Sequence, residues 1–152
     1  MRYEDYKVLA AKEYEKNRKN IFTCYFFLIL SAVCFALFFL VIKELPIAGA
    51  GFLLDLADGG YAWKAFKGLH PYWEMQLALE AGKNPDEAAV FRLAAAIEYA
   101  LEKKLPAFKG RALEIFKETL VKVRKNEKVP PQPIIQLEKA LKNIFTSPST
   151  SL

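Results

Sequence analysis

The chain has 152 residues and a net charge of +5, from 22 lysines and arginines against 17 acids. That length allows one modest domain plus an anchor, and the basic residues alternate with acids rather than forming a dense stripe with stacking aromatics, so no nucleic-acid partner is expected. Both cysteines, Cys24 and Cys34, lie inside one apolar run, which excludes a disulfide framework or a cysteine-based metal site in the rest of the chain.

Residues 3–19, YEDYKVLAAKEYEKNRK, have helical spacing, with Tyr3, Tyr6, Leu9, Ala10, Glu13 and Tyr14 on one face. Two uses suit such a helix. It could be a cytoplasmic docking handle, or an interfacial extension whose lysines and arginines touch anionic headgroups, and the second is the expectation.

From Ile21 to Ile42 there are 22 residues without a charge. At about 1.5 Å per residue they reach roughly 33 Å, enough to cross a hydrocarbon core of roughly 30 Å. The expected membrane span includes Ile21, Phe26, Leu30, Ala32, Ala36, Phe39 and Ile42, with lipid as the first partner. Ala32 and Ala36 form a small-xxx-small pair, a helix-association pattern. Lys43, Glu44 and Pro46 stop the run. Six lysines and arginines precede the span, and beyond it Lys43 is followed by no other until Lys64. The positive-inside rule then predicts a cytoplasmic N-terminus and an extracytoplasmic C-terminal region, as in a single-pass protein of a bacterial inner membrane. The competing reading, a signal peptide cut after Ala50 at "AGA", needs a shorter apolar region than this one, so the segment is expected to be retained.

Residues 43–71 read as a membrane-proximal interfacial or linker segment. Leu45 to Ala57 is apolar apart from Asp55 but too short to span; Tyr61, Trp63 and Phe66 could anchor it in an interface, or it could equally be buried in the outer domain. "DLADGG" lacks the alternate acids and distant glutamate of a calcium loop, so Asp55 and Asp58 followed by Gly59 and Gly60 read as a helix end or turn.

The helical domain is expected over 72–145. A short helix covers 72–81 and stops at Gly82. The next opens with Asn84 as N-cap and Pro85 in its first turn, and Val90, Leu93, Ala94, Ile97 and Leu101 make its apolar face. Ala94, Ala95 and Ala96 permit a close neighbour. A third helix covers about 107–126, with Phe108, Ala112, Ile115, Phe116, Leu120 and Val123 on its stripe. "VPPQP" reads as a stiff polyproline-like link to a last helix over 133–145. Its face, Ile134, Leu137, Leu141, Ile144 and Phe145, is the candidate partner-binding surface, although packing inside the bundle is the use expected first. Residues 146–152 read as a polar tail.

No chemistry stands out. Histidine occurs once, at His70, and the serines beyond the span are Ser147, Ser149 and Ser151, so no triad is in reach. The glycine pairs lack the lysine and hydroxyl of a phosphate loop. No catalytic residue, cofactor, metal site or small-molecule substrate is expected. The sequence thus predicts an all-α protein, a single transmembrane helix at residues 21–42 after a basic cytoplasmic helix at 1–20, and then a small extracytoplasmic bundle of three to four short helices. Its expected role is that of a non-enzymatic subunit of a larger membrane assembly, binding other protein subunits through helices. The alternative is a membrane-tethered protein that captures a soluble ligand.

Overall fold

A computed structural model describes residues 1–147 of the chain. They form six α-helices and no strand: α1 (Tyr3–Leu37), α2 (Leu45–Lys67), α3 (Tyr72–Lys83), α4 (Glu87–Glu102), α5 (Arg111–Arg124) and α6 (Pro131–Thr146), with a π-helical turn at Phe38–Ile42 after α1. The chain divides into two compact units. One joins Met1–Tyr14 to the chain from His70 onward, and the other is Glu15–Leu69. The tail expected at 146–152 lies, from residue 148, outside the described residues.

The first unit is a ring of four helices. α4 packs on α3 and α6, and α5 packs on the same two, so the bundle closes in the order α3, α4, α6, α5. α4 is its most deeply buried member: Val90, Leu93, Ala94, Ala95, Ala96 and Ile97 are all fully buried. Three consecutive alanines let neighbours approach on more than one side of the same turn. Phe108, Phe116, Val123, Leu137 and Ile144 fill the remaining core.

Local signals set the helix ends. The cap of α4 is Asp86 rather than the expected Asn84: its backbone is extended, and its carboxylate accepts the Ala89 N–H at 2.7 Å. The proline-rich stretch differs as well. Pro130 has the polyproline angles, but Pro131 already begins α6 and Pro133 is buried in its first turn. The first-turn N–H groups of a helix have no intrahelical acceptor, so prolines there forfeit nothing. α6 therefore starts directly at the prolines and is not held off by a link.

The first turns of α1 complete this unit. Tyr6 and Ala10 belong to its buried core, and Tyr3 and Tyr6 pack their rings on Phe91 at 5.3 and 5.4 Å. Tyr14 meets Tyr99 at 5.2 Å. Lys7 pairs with Glu98 at 2.9 Å, and Arg92 with Glu13 at 3.0 Å. The face expected from spacing is thus correct in its residues, and it is spent on the chain's own bundle.

The second unit is a helical hairpin. α1 continues without a break past Glu15, and α2 returns antiparallel to it. The chain turns at Lys43, which has φ 52° and donates its N–H to the Phe38 carbonyl at 3.1 Å. Pro46 sits in the first turn of α2, where it is harmless. Side chains set the register. The Phe35 ring lies 3.1 Å from where a Cβ on Gly51 would be, Ser31 meets Gly51 and Asp55, Phe27 meets Tyr61 at 6.0 Å, and Asn17 lies against Gly68. A Cβ on Gly68 would stand 2.6 Å from the Asn17 side chain, whose amide end would have to swing aside to admit it. The segment at 43–71, read as interfacial or linker, is mostly this 23-residue helix. "DLADGG" lies inside it and is not a turn. Two glycines in mid-helix cost about 1 kcal/mol each relative to alanine, too little to break a helix supported by a neighbour.

Candidate functional site

α1 is long and apolar enough to cross a membrane, and only 6% of its most apolar 18-residue window is buried. A core helix of a soluble protein would be covered there. Of the expected span residues, Phe26, Leu30, Ala32, Ala36 and Phe39 are exposed, Ile21 is half-buried, and Ile42 ends the π-helical turn. The Ala32 and Ala36 pair does not face α2; Phe27, Ser31 and Phe35 do. α2 is equally bare: Leu45, Phe52, Leu53, Leu56, Tyr61, Trp63 and Phe66 are all exposed.

Polar groups interrupt this apolar hairpin midway along α2. Ser31 Oγ lies 2.6 Å from Asp55 Oδ1 and 3.2 Å from the Gly51 carbonyl, and its single hydroxyl proton is donated to one or shared between them. Asp58, almost one turn further on, is 8% exposed, and its Oδ1 has no hydrogen-bond partner. Sequence reasoning weighed the two aspartates as calcium ligands and read them instead as a helix end or turn. The overlooked signal was that they stand alone in an otherwise uncharged stretch from Leu45 to Trp63.

A second polar set lies in the bundle. His70 is flanked by two acceptors: Nδ1 is 2.7 Å from Glu74 Oε1, and Nε2 donates to the Pro106 carbonyl at 2.6 Å. Both side chains are buried, and the imidazole packs edge-on against Phe108 at 4.8 Å. Burial works against a charge on His70. The hydrogen bond to Glu74, its negative charge and the Pro106 carbonyl outweigh that and raise the imidazole above its ordinary value. No nucleophile accompanies the pair, and it ties α3 to the segment after α4.

A groove of about 350 Å³ opens beside the first turns of α1, lined by Lys7, Glu98, Leu101, Glu102, Lys139 and Asn143. Burial pushes the Tyr3 phenol up, and Glu98 beside it pushes further. Lys7 is raised by its hydrogen bond to Glu98 in spite of partial burial. The groove carries both signs of charge and presents no reactive group.

The candidate partner surface on α6 is largely used within the bundle. Leu137, Leu141 and Ile144 are buried in the core, Ile134 packs partly against it, and Phe145 is exposed, with the Lys117 ammonium 5.4 Å over its ring. Among the described residues no group of three or more His, Cys, Asp or Glu is placed to hold a metal ion. Comparison with known protein families, with curated proteins and with solved structures finds no match to this chain.

Proposed function

We propose that this is a non-enzymatic membrane subunit whose hairpin, α1 beyond Glu15 with α2, is embedded in a bilayer, while its bundle stays on the cytoplasmic side and serves a larger assembly through helix contacts. One observation carries the reading. The chain leaves the first unit after Tyr14 and re-enters it at His70, and everything between is a hairpin whose apolar side chains are uncovered. Residues 1–14 and the bundle share a core, so one crossing without a return would have to pull Tyr6 and Ala10 out of it. This departs from the single-pass topology expected from charge counting, which placed the C-terminal region outside the cytoplasm.

Three further features support it. α2 has 23 residues, about 34 Å of helix, enough to return across a hydrocarbon core. Basic residues gather at the open end of the hairpin, Lys16, Arg18 and Lys19 on α1 with Lys64 and Lys67 on α2, whereas the turn carries Lys43 beside Glu44. Tyr25, Tyr61 and Trp63 are exposed toward that same open end, where amphipathic rings suit the headgroup level.

A C-terminal epitope tag tests the reading. In sealed right-side-out vesicles the tag resists external protease and is digested once detergent is added. Digestion before detergent would refute a cytoplasmic bundle.

A further inference from the structure

A hairpin in lipid leaves one demand unmet, the two carboxyl groups midway along it. Asp55 and Asp58 lie roughly 15 and 20 Å along the helix axis from Leu45, near the middle of a hydrocarbon core of roughly 30 Å. Ionisable groups at that depth face a partner or a polar cavity, because lipid offers neither charge nor hydrogen bonds. Inside the hairpin the help is slight. Asp55 has Ser31 at 2.6 Å but is otherwise exposed, and the buried Asp58 has one oxygen with no partner. No lysine, arginine or histidine occurs from Ile21 to Ile42 or from Leu45 to Trp63. A second copy of this chain would therefore bring more acid and no base.

We propose that the Asp55 face of α2 docks a transmembrane helix of a different protein, one that carries a lysine or arginine at mid-depth. The inference rests on the hairpin reading above. Charge complementarity selects the occupant, since a base is the one group the site lacks. The surface beside Asp55 is also shaped for a helix. Gly59 follows on the same face four residues later, and nothing lies within 4 Å of where its Cβ would be. Small residues at that spacing let a second backbone come close, which shortens the reach a basic side chain needs.

The test uses the full-length protein in phosphatidylcholine vesicles and two synthetic leucine–alanine transmembrane peptides. They differ only in a lysine or a leucine at the central position. Association is read by energy transfer between dyes on protein and peptide. The lysine peptide should associate at least tenfold more tightly than the leucine peptide, Asp55→Asn should abolish that difference, and Asp55→Glu should restore it. Asparagine keeps the size and hydrogen bonding of a neutral aspartic acid. A preference that survives Asp55→Asn would therefore show that charge is not what is read and would overturn the proposal. So would equal binding of both peptides, or self-association of the protein that Asp55→Asn abolishes, which would make a second copy the occupant. Impermeant maleimide labelling of Lys43→Cys, in a background lacking Cys24 and Cys34 and in the same vesicles, separates the two readings: protection until detergent is added shows an inserted hairpin. An inserted hairpin without lysine preference sinks this proposal alone; a hairpin that is not inserted sinks both.

Discussion

The buried His70–Glu74 pair makes the bundle's stability depend on pH in a direction that can be worked out. The Pro106 carbonyl can only accept, so Nε2 carries a proton; Glu74 faces Nδ1, so a second proton lies between them. The folded state thus holds one proton that an unfolded histidine, with a value of about 6.5, releases at neutral pH. Below about pH 6.5 both states hold it, and the pair's contribution is fully present. Above that, only the folded state holds it, and stability falls as pH rises toward the raised folded value. One proton sets the slope at about 1.4 kcal/mol per pH unit, because a difference of one bound proton changes unfolding free energy by that amount. Side-chain exposures of 6% and 1% mean solvent does not screen the pair. The assay is urea unfolding of the full chain in mild detergent, followed by Trp73 fluorescence in a Trp63→Phe background. Stability should decline from pH 6.5 upward, and His70→Gln should flatten that decline. A flat or rising profile in the parent, or an unchanged slope in His70→Gln, would refute the proton assignment.

Other expectations concern packing and register. Leu137→Ala empties a fully buried site between α6 and the core and should lower bundle stability by about 2–5 kcal/mol in the same denaturation. Ala10→Leu forces extra volume into a position that is 4% exposed and should cost about 1–3 kcal/mol; an unchanged midpoint would mean that α1 does not dock on the bundle. With Cys24 and Cys34 replaced by alanine, a Ser31→Cys, Asp55→Cys pair should form a disulfide under mild oxidation, while a Leu28→Cys, Leu53→Cys pair should not. The reverse result would contradict the hairpin register. Intact mass of the mature chain should include residues 1–50, because Tyr6 and Ala10 are part of the folded core; a chain starting at Gly51 would contradict this.

Much of the fold can be read from apolar spacing. Helices at 87–102, 111–124 and 131–146 follow the stripes of Leu93, Ile115 and Leu137, the one at 72–83 runs close to the expected stop at Gly82, and the 21–42 run announces itself by composition. Partners could not be read in the same way. Periodicity gives a face but not what covers it, so the Tyr6–Ala10 face and the Leu137–Ile144 face both looked available. Each is covered by α-helical neighbours far away in sequence, Phe91 and Tyr99 on α4 among them. The second arm of the hairpin was hidden by its own chemistry. Asp55, Asp58, Gly59 and Gly60 dilute its apolar character and mimic a turn, and only the antiparallel register with Ser31 and Phe35 shows them as one helical face. The same acids, set aside as calcium ligands, became the most informative polar residues in the hairpin.

The central claim is that residues 1–14 and the bundle lie on one side of a bilayer and the Lys43 turn reaches toward the other. Three single-cysteine variants in a background lacking Cys24 and Cys34 address it directly: Lys12→Cys, Lys43→Cys and Lys128→Cys, each exposed in the fold. In intact right-side-out cells, an impermeant maleimide should label position 43 and spare positions 12 and 128 until the membrane is opened. Labelling of position 128 together with protection of position 12 would restore the single crossing and contradict the account.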